Sequence, residues 1–212
     1  MFDFIYSEEE VLDHPRTRTV LERFPNAQLI PCTRYGEVFN RSAQNFRLQK
    51  RRPALILASK NGNRVLAAPT GYGIGSEENY YFSHMFNCLY DCRYCFLQGM
   101  YRSAHMVLFV NYEDFQEDIA AKIQVTEAEI PYFFSGYDCD SLALESITHF
   151  TSEFLPFFAA HPKAFFELRT KSVRTKTLLA SQALPNCVVA FSMTPTALAD
   201  LFELGAPPVA QR

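Results

Sequence analysis

The 212-residue chain has no tryptophan and no run of 18 uninterrupted apolar residues, and the second absence argues against a membrane-spanning helix. Its acidic N-terminus, Met1–His14, lacks the basic-then-apolar order of a secretory signal, so a cytoplasmic protein is expected. Six cysteines in 212 residues are too few for a disulfide scaffold. In a cytoplasmic chain, clustered cysteines point instead to metal or redox chemistry. None of the five histidines falls in an HExxH pattern, which removes the zinc-protease reading. Pro69–Ser76 is punctuated by glycine but carries no Gly-Lys-Ser/Thr, so it is not a phosphate loop. No repeat at a solenoid period is visible.

Acidic residues are also missing from one long stretch. Residues 38–76 hold no Asp or Glu but seven bases, Arg41, Arg47, Lys50, Arg51, Arg52, Lys60 and Arg64, although the whole chain has a net charge of −3. Residues 113–146 reverse the sign, with nine acids against Lys122 alone. The basic stretch suits an anionic partner such as nucleic acid, with Lys50, Arg51 and Arg52 as candidate phosphate contacts. It equally suits a solvated face balanced elsewhere in the fold.

Residues 1–76 read as a small α+β leader and residues 77–212 as a second region. Ser7–Leu12 places acids where a short helix would begin. Arg52–Ala58 and Arg64–Ala68 read as two strands around the turn Lys60–Asn63. From residue 79, strands and helices alternate: strand Tyr80–Phe86, apolar run Met106–Val110, helix Tyr112–Val125, strand Ile130–Ser135 and helix Ser141–Ala160. Strand Ala164–Thr170, helix Val173–Gln182, strand Cys187–Met193 and a helix from Pro195 follow. Such alternation predicts parallel strands with helical crossovers, an α/β fold. About four β/α units make an incomplete barrel, and the expectation is that a longer natural protein continues beyond them.

The most specific feature is Cys88-xxx-Cys92-xx-Cys95, directly after the first of these strands. Three thiolates so close in one loop can bind three irons of a 4Fe–4S cube and leave the fourth iron open. Structural zinc is the rival. It requires a fourth ligand, for which His84, His105 and Cys139 are the candidates.

Tyr94 precedes the third cysteine, and Phe96, Leu97 and Gln98 follow it. CxxxCxxC with that aromatic resembles the radical S-adenosylmethionine (AdoMet) superfamily. The run through Phe-Leu-Gln resembles the spore photoproduct lyase family within it. The resemblance implies a partial (β/α) TIM-type barrel with Cys88, Cys92 and Cys95 holding the cluster and AdoMet chelated at the open iron. One-electron reduction, from a donor such as flavodoxin or ferredoxin, would give a 5′-deoxyadenosyl radical that abstracts hydrogen from a substrate. In the family that substrate is a methylene-linked thymine dimer in DNA, so DNA is the implied partner.

The same resemblance assigns AdoMet contacts to Lys171 and Ser192, with Thr194 a further polar contact and Ser135 lying beside the methionine moiety. It makes Tyr94 and Cys139 the candidates for hydrogen-atom transfer. Two positions depart from the family. The place of its hydrogen-donating cysteine falls on Tyr137, two residues before Cys139, and Phe96 stands where the spore lyase has a tyrosine. These departures keep open a radical enzyme with a non-DNA substrate. A non-catalytic zinc module that docks nucleic acid is the remaining alternative.

Overall fold

A computed structural model describes residues 2–212. In chain order the elements are β1 (Phe4–Glu8), α1 (Pro15–Glu22), β2 (Gln28–Cys32), α2 (Gly36–Phe39), α3 (Phe46–Arg51), β3 (Leu55–Ala58) and β4 (Val65–Ala67). Next come β5 (Asn79–Phe82), β6 (Met85–Phe86), β7 (Asp91–Cys92), α4 (Leu97–Met100), β8 (Met106–Phe109), α5 (Tyr112–Val125) and β9 (Tyr132–Ser135). The last are α6 (Glu145–Thr148), α7 (Phe150–Ala159), β10 (Phe165–Thr170), α8 (Lys176–Ala180), β11 (Cys187–Phe191), α9 (Thr196–Phe202) and β12 (Glu203–Leu204).

Two five-stranded, mostly parallel sheets carry the chain, so the fold is α/β. The second sheet has the order β11-β10-β9-β5-β4, and only β4 in it is antiparallel. The predicted β/α alternation is therefore realised in four neighbouring parallel strands, β5, β9, β10 and β11. Their C-terminal ends lie on one side, and the loops after residues 82, 135, 170 and 191 all leave from it. In open parallel sheets and barrels alike, that is the end where ligands bind. A phenylalanine layer fixes this sheet to α7: Phe158 stacks on Phe166 at 4.3 Å and Phe82 on Phe154 at 5.2 Å between ring centroids.

The first sheet, β2-β1-β3-β8-β6, pairs strands from the leader with strands on either side of the cysteine motif. It therefore draws on both sides of the 76/77 division expected from sequence. Pro15 opens α1 at its first turn, where a missing N–H costs nothing, and the His14 side chain caps it through Arg16 N at 3.2 Å.

Four local expectations are corrected. Ser7 and Glu8 do not start a helix; they end β1, and only a single 3-10 turn, Glu9–Val11, follows. The buried Glu8 carboxylate is committed there, accepting from Tyr35 N at 2.7 Å and Ser59 N at 2.8 Å. The strands flanking Lys60–Asn63 do not pair with each other: β3 joins β1 and β8, and β4 joins β5. The expected strand Tyr80–Phe86 divides into β5 and β6, which lie in different sheets. The expected helix Ser141–Ala160 divides at His149, whose φ of 50° interrupts α-helical geometry between α6 and α7.

The charge asymmetry is resolved partly inside the fold. Arg64 bonds Asp118 and Asp114 of α5, each at 2.9 Å. Lys60 lies over the Phe86 ring at 4.5 Å. No helix among the described residues is long and apolar enough to cross a membrane.

Candidate functional site

The cysteine loop leaves the first sheet at β6 and returns to it at β8. Its base is closed by Asn87, a buried residue with φ of 65°, whose amide donates to the carbonyls of Ser103 and His105, each at 2.7 Å. Its outer side is held by β12, which pairs with β7 so that Glu203 faces Cys92. Arg93 N extends that contact to Phe202 O at 2.7 Å. Helix α3 of the basic leader holds the third side. Lys50 Nζ donates to Cys88 O at 2.6 Å and Tyr90 O at 2.9 Å, and Arg47 pairs with Asp91 at 2.9 Å.

Held this way, Cys88, Cys92 and Cys95 line one cavity of about 150 Å³ together with Cys139, Asp140, Arg169, Thr170, Lys171 and Ser192. Among the described residues, no three His, Cys, Asp or Glu side chains converge on one point as the ligands of a single ion do. The three thiols instead stand around a shared space. Burial, reinforced by Asp140, pushes the Cys88 thiol up, and burial does the same to Cys92.

The opposite wall comes from the strand ends. Asp140, in the loop after β9, accepts from Thr170 Oγ1 and Lys171 N, both at 2.6 Å, and from Leu142 N at 3.0 Å. It thereby fixes the start of the loop that carries Lys171. Burial opposes the charge on Lys171, but Cys92, Tyr94 and Glu203 outweigh it and hold the ammonium above its ordinary range. Gly136 reaches the cavity because only glycine fits its position. Its φ is +82°, and a Cβ there would lie 2.5 Å from Ser141 Oγ.

The predicted site residues divide in space. The three cysteines, Lys171, Ser192 and Cys139 share the cavity. Ser135 does not reach it with its side chain: its buried hydroxyl bonds Ser141 Oγ and Glu167 O, both at 2.9 Å. Tyr94 stands beside the cavity, its hydroxyl donating to Glu203 and lying 3.2 Å from Thr194 Oγ1. Thr194 in turn donates to Glu203 at 2.7 Å. Cys139 is buried, and burial with Asp138 nearby pushes its thiol well up. Tyr137 lines the same cavity as Cys139. Of the three predicted nucleic-acid contacts, Lys50 is half-buried against the cysteine loop, whereas Arg51 and Arg52 are exposed.

Sequence reasoning gave no role to Asp140 or Glu203. Asp140 lay within the polar run after β9. Glu203 had no local signal at all, because its partners come from 109 residues away in Tyr94 and nine away in Thr194 and Arg212.

An α/β protein in which a three-thiol loop shares one cavity with the C-terminal strand ends of a mostly parallel sheet is the class that the fold and site define. The chain belongs to the spore photoproduct lyase family, whose model matches residues 1–212. Solved structures of spore photoproduct lyase agree in fold. A variant "with bound AdoMet and dinucleoside spore photoproduct" superposes with a TM-score of 0.87 at 19% identity. The lyase "complexed with dinucleoside spore photoproduct" superposes with a TM-score of 0.85, also at 19% identity. Each match covers 100% of this chain and 62% of the other. No curated protein matches the sequence.

Proposed function

We propose that the chain is the cofactor-binding part of a radical AdoMet enzyme of the lyase type, with the four parallel strands as the start of a partial barrel. The observation that carries this reading is the convergence of Cys88, Cys92 and Cys95 on the cavity that also takes Lys171 and Ser192 from neighbouring strand ends. Three soft thiols spread around a space suit three separate irons of a 4Fe–4S cluster. A mobile ammonium and a hydroxyl on the facing wall suit the carboxylate and polar groups of AdoMet.

With cluster and AdoMet bound and one electron from an external donor, the chemistry they would supply is reductive cleavage of the sulfonium C–S bond, releasing methionine, and hydrogen abstraction from a substrate by the 5′-deoxyadenosyl group so formed. The protein's own residues bind, orient and shield. Asn87, β12 and α3 hold the loop that carries the thiols. Asp140 fixes the backbone of Lys171, whose ammonium neutralises a carboxylate. Cys139, protonated and buried, keeps an S–H hydrogen at the cavity wall, and Tyr94 keeps an O–H hydrogen beside it.

The substrate proposed is a thymine lesion in DNA, supported by family membership and by the dinucleoside spore photoproduct in the related structures. A second reading, a non-DNA substrate, is favoured by Phe96, which has no phenolic hydrogen, and by the inward turn of Lys50.

The test is anaerobic turnover. The reconstituted, dithionite-reduced chain is expected to release 5′-deoxyadenosine from AdoMet, and Cys88→Ala, Cys92→Ala and Cys95→Ala to release none. Absence of 5′-deoxyadenosine from a chain carrying its full complement of iron and sulfide overturns the proposal.

A further inference from the structure

The basic leader suits either an anionic partner or a solvated face, yet its helix α3 is packed against the cysteine loop by three side chains. Lys50 Nζ bonds the carbonyls of Cys88 and Tyr90 at 2.6 and 2.9 Å. Arg47 takes the Asp91 carboxylate at 2.9 Å. Gln49 Oε1 accepts from Ala104 N at 2.9 Å and from Ser103 Oγ at 3.3 Å, at the far end of the same loop. Among the described residues no carboxylate lies within ion-pair distance of Lys50, and the neighbouring Asp91 pairs with Arg47. Lys50 therefore presents an ammonium whose direct partners are neutral carbonyls, one of them on a cysteine of the motif.

We propose that Lys50 is a positioning residue for the cluster. It braces the loop through two carbonyls, and it supplies a positive charge beside the three thiolates that makes the cluster easier to reduce. The second half rests on the cluster reading above. Reduction adds one electron and one negative charge to the thiolate-bound cluster, the electron coming from a low-potential one-electron donor. A fixed cation beside that charge stabilises the reduced form more than the oxidised one. Net charge and hydrogen bonding around the cysteines are established determinants of cluster potential.

Two measurements on the full chain test the two halves separately. In the metal-free protein, iodoacetamide alkylation of Cys88, Cys92 and Cys95 reads the brace. Lys50→Met is expected to raise these rates several-fold while Cys187 alkylates as before. Unchanged rates overturn the brace. After anaerobic reconstitution, a dithionite-poised potential titration reads the charge. At the poise where the parent cluster is half reduced, Lys50→Met is expected to be mostly oxidised, and Lys50→Arg, which keeps the charge, to lie close to the parent. A Lys50→Met potential equal to the parent's overturns the charge role. If the parent takes up no iron and sulfide, the charge role falls with the cluster reading, and the alkylation rates still decide the brace.

Discussion

Tyr94 and Glu203 are joined by a hydrogen bond from phenol to carboxylate across the edge of the cysteine loop. The same carboxylate takes Arg212 Nη2 at 2.6 Å and lies 3.9 Å from Lys171 Nζ. Burial opposes the charge on Glu203, but bonds from Thr194, Tyr94 and Arg212 outweigh it and hold the carboxyl below its usual range. Both side chains of the Glu203–Arg212 pair are about 1% exposed. Removing one partner of such a pair leaves an uncompensated buried charge. Glu203→Ala is therefore expected to cost roughly 3 kcal/mol in urea unfolding. A loss below about 1 kcal/mol would show that the pair is solvated in solution.

Glu145 gives the fold a pH dependence of definite sign. Burial raises its carboxyl to about 7, although Thr151 bonds the carboxylate through both hydroxyl and amide. The folded state therefore binds the proton more tightly than the unfolded chain does. The stabilisation is full below the unfolded value of 4.5 and is lost as pH rises towards about 7. Glu145→Gln carries no such dependence. The stability of the parent relative to Glu145→Gln is expected to fall by up to about 3 kcal/mol between pH 4 and pH 8. A difference independent of pH would contradict the burial of this carboxyl.

Lys171 is expected to act on affinity. Lys171→Met should weaken AdoMet binding to the reconstituted chain roughly 10- to 100-fold, the loss of one charge-assisted hydrogen bond, while iron content stays at the parent level. Binding unchanged by the substitution would remove Lys171 from the ligand site.

Much of the second sheet was legible in the sequence because its signals are local. Each of β9, β10 and β11 is an apolar run followed by a helix, and α5 was read at its observed bounds, Tyr112–Val125. The cysteine motif was legible for the same reason. The first sheet was legible only in part: β3 and β8 fall within the expected runs Arg52–Ala58 and Met106–Val110, whereas β1 and β2 carried no such signal. Pro31 ordinarily marks a break, yet it lies within β2, an edge strand where a missing N–H is tolerated. The partners of β3 and β4 are set by sheets that assemble from distant segments, and no turn residue encodes them. The packing of Lys50 against the cysteine loop was not legible, because its carbonyl partners lie 38 and 40 residues away. Charge in a sequence carries no sign of which cations fold inward.

Arg51 and Arg52 are the exposed remainder of the predicted nucleic-acid contacts, although Arg52 also reaches Asp3 at 2.6 Å. If they meet phosphates, Arg51→Gln together with Arg52→Gln should weaken DNA binding and flatten its log–log salt dependence by about 2. An unchanged slope would move the DNA surface elsewhere or favour the non-DNA reading.

The most direct test of the central claim is a metal and sulfide count on the anaerobically reconstituted chain, with the paramagnetic spectrum of its reduced form recorded with and without AdoMet. The account expects about four irons and four sulfides per chain and a signal that AdoMet perturbs. Zinc in place of iron, or a cluster whose spectrum ignores AdoMet, would contradict it.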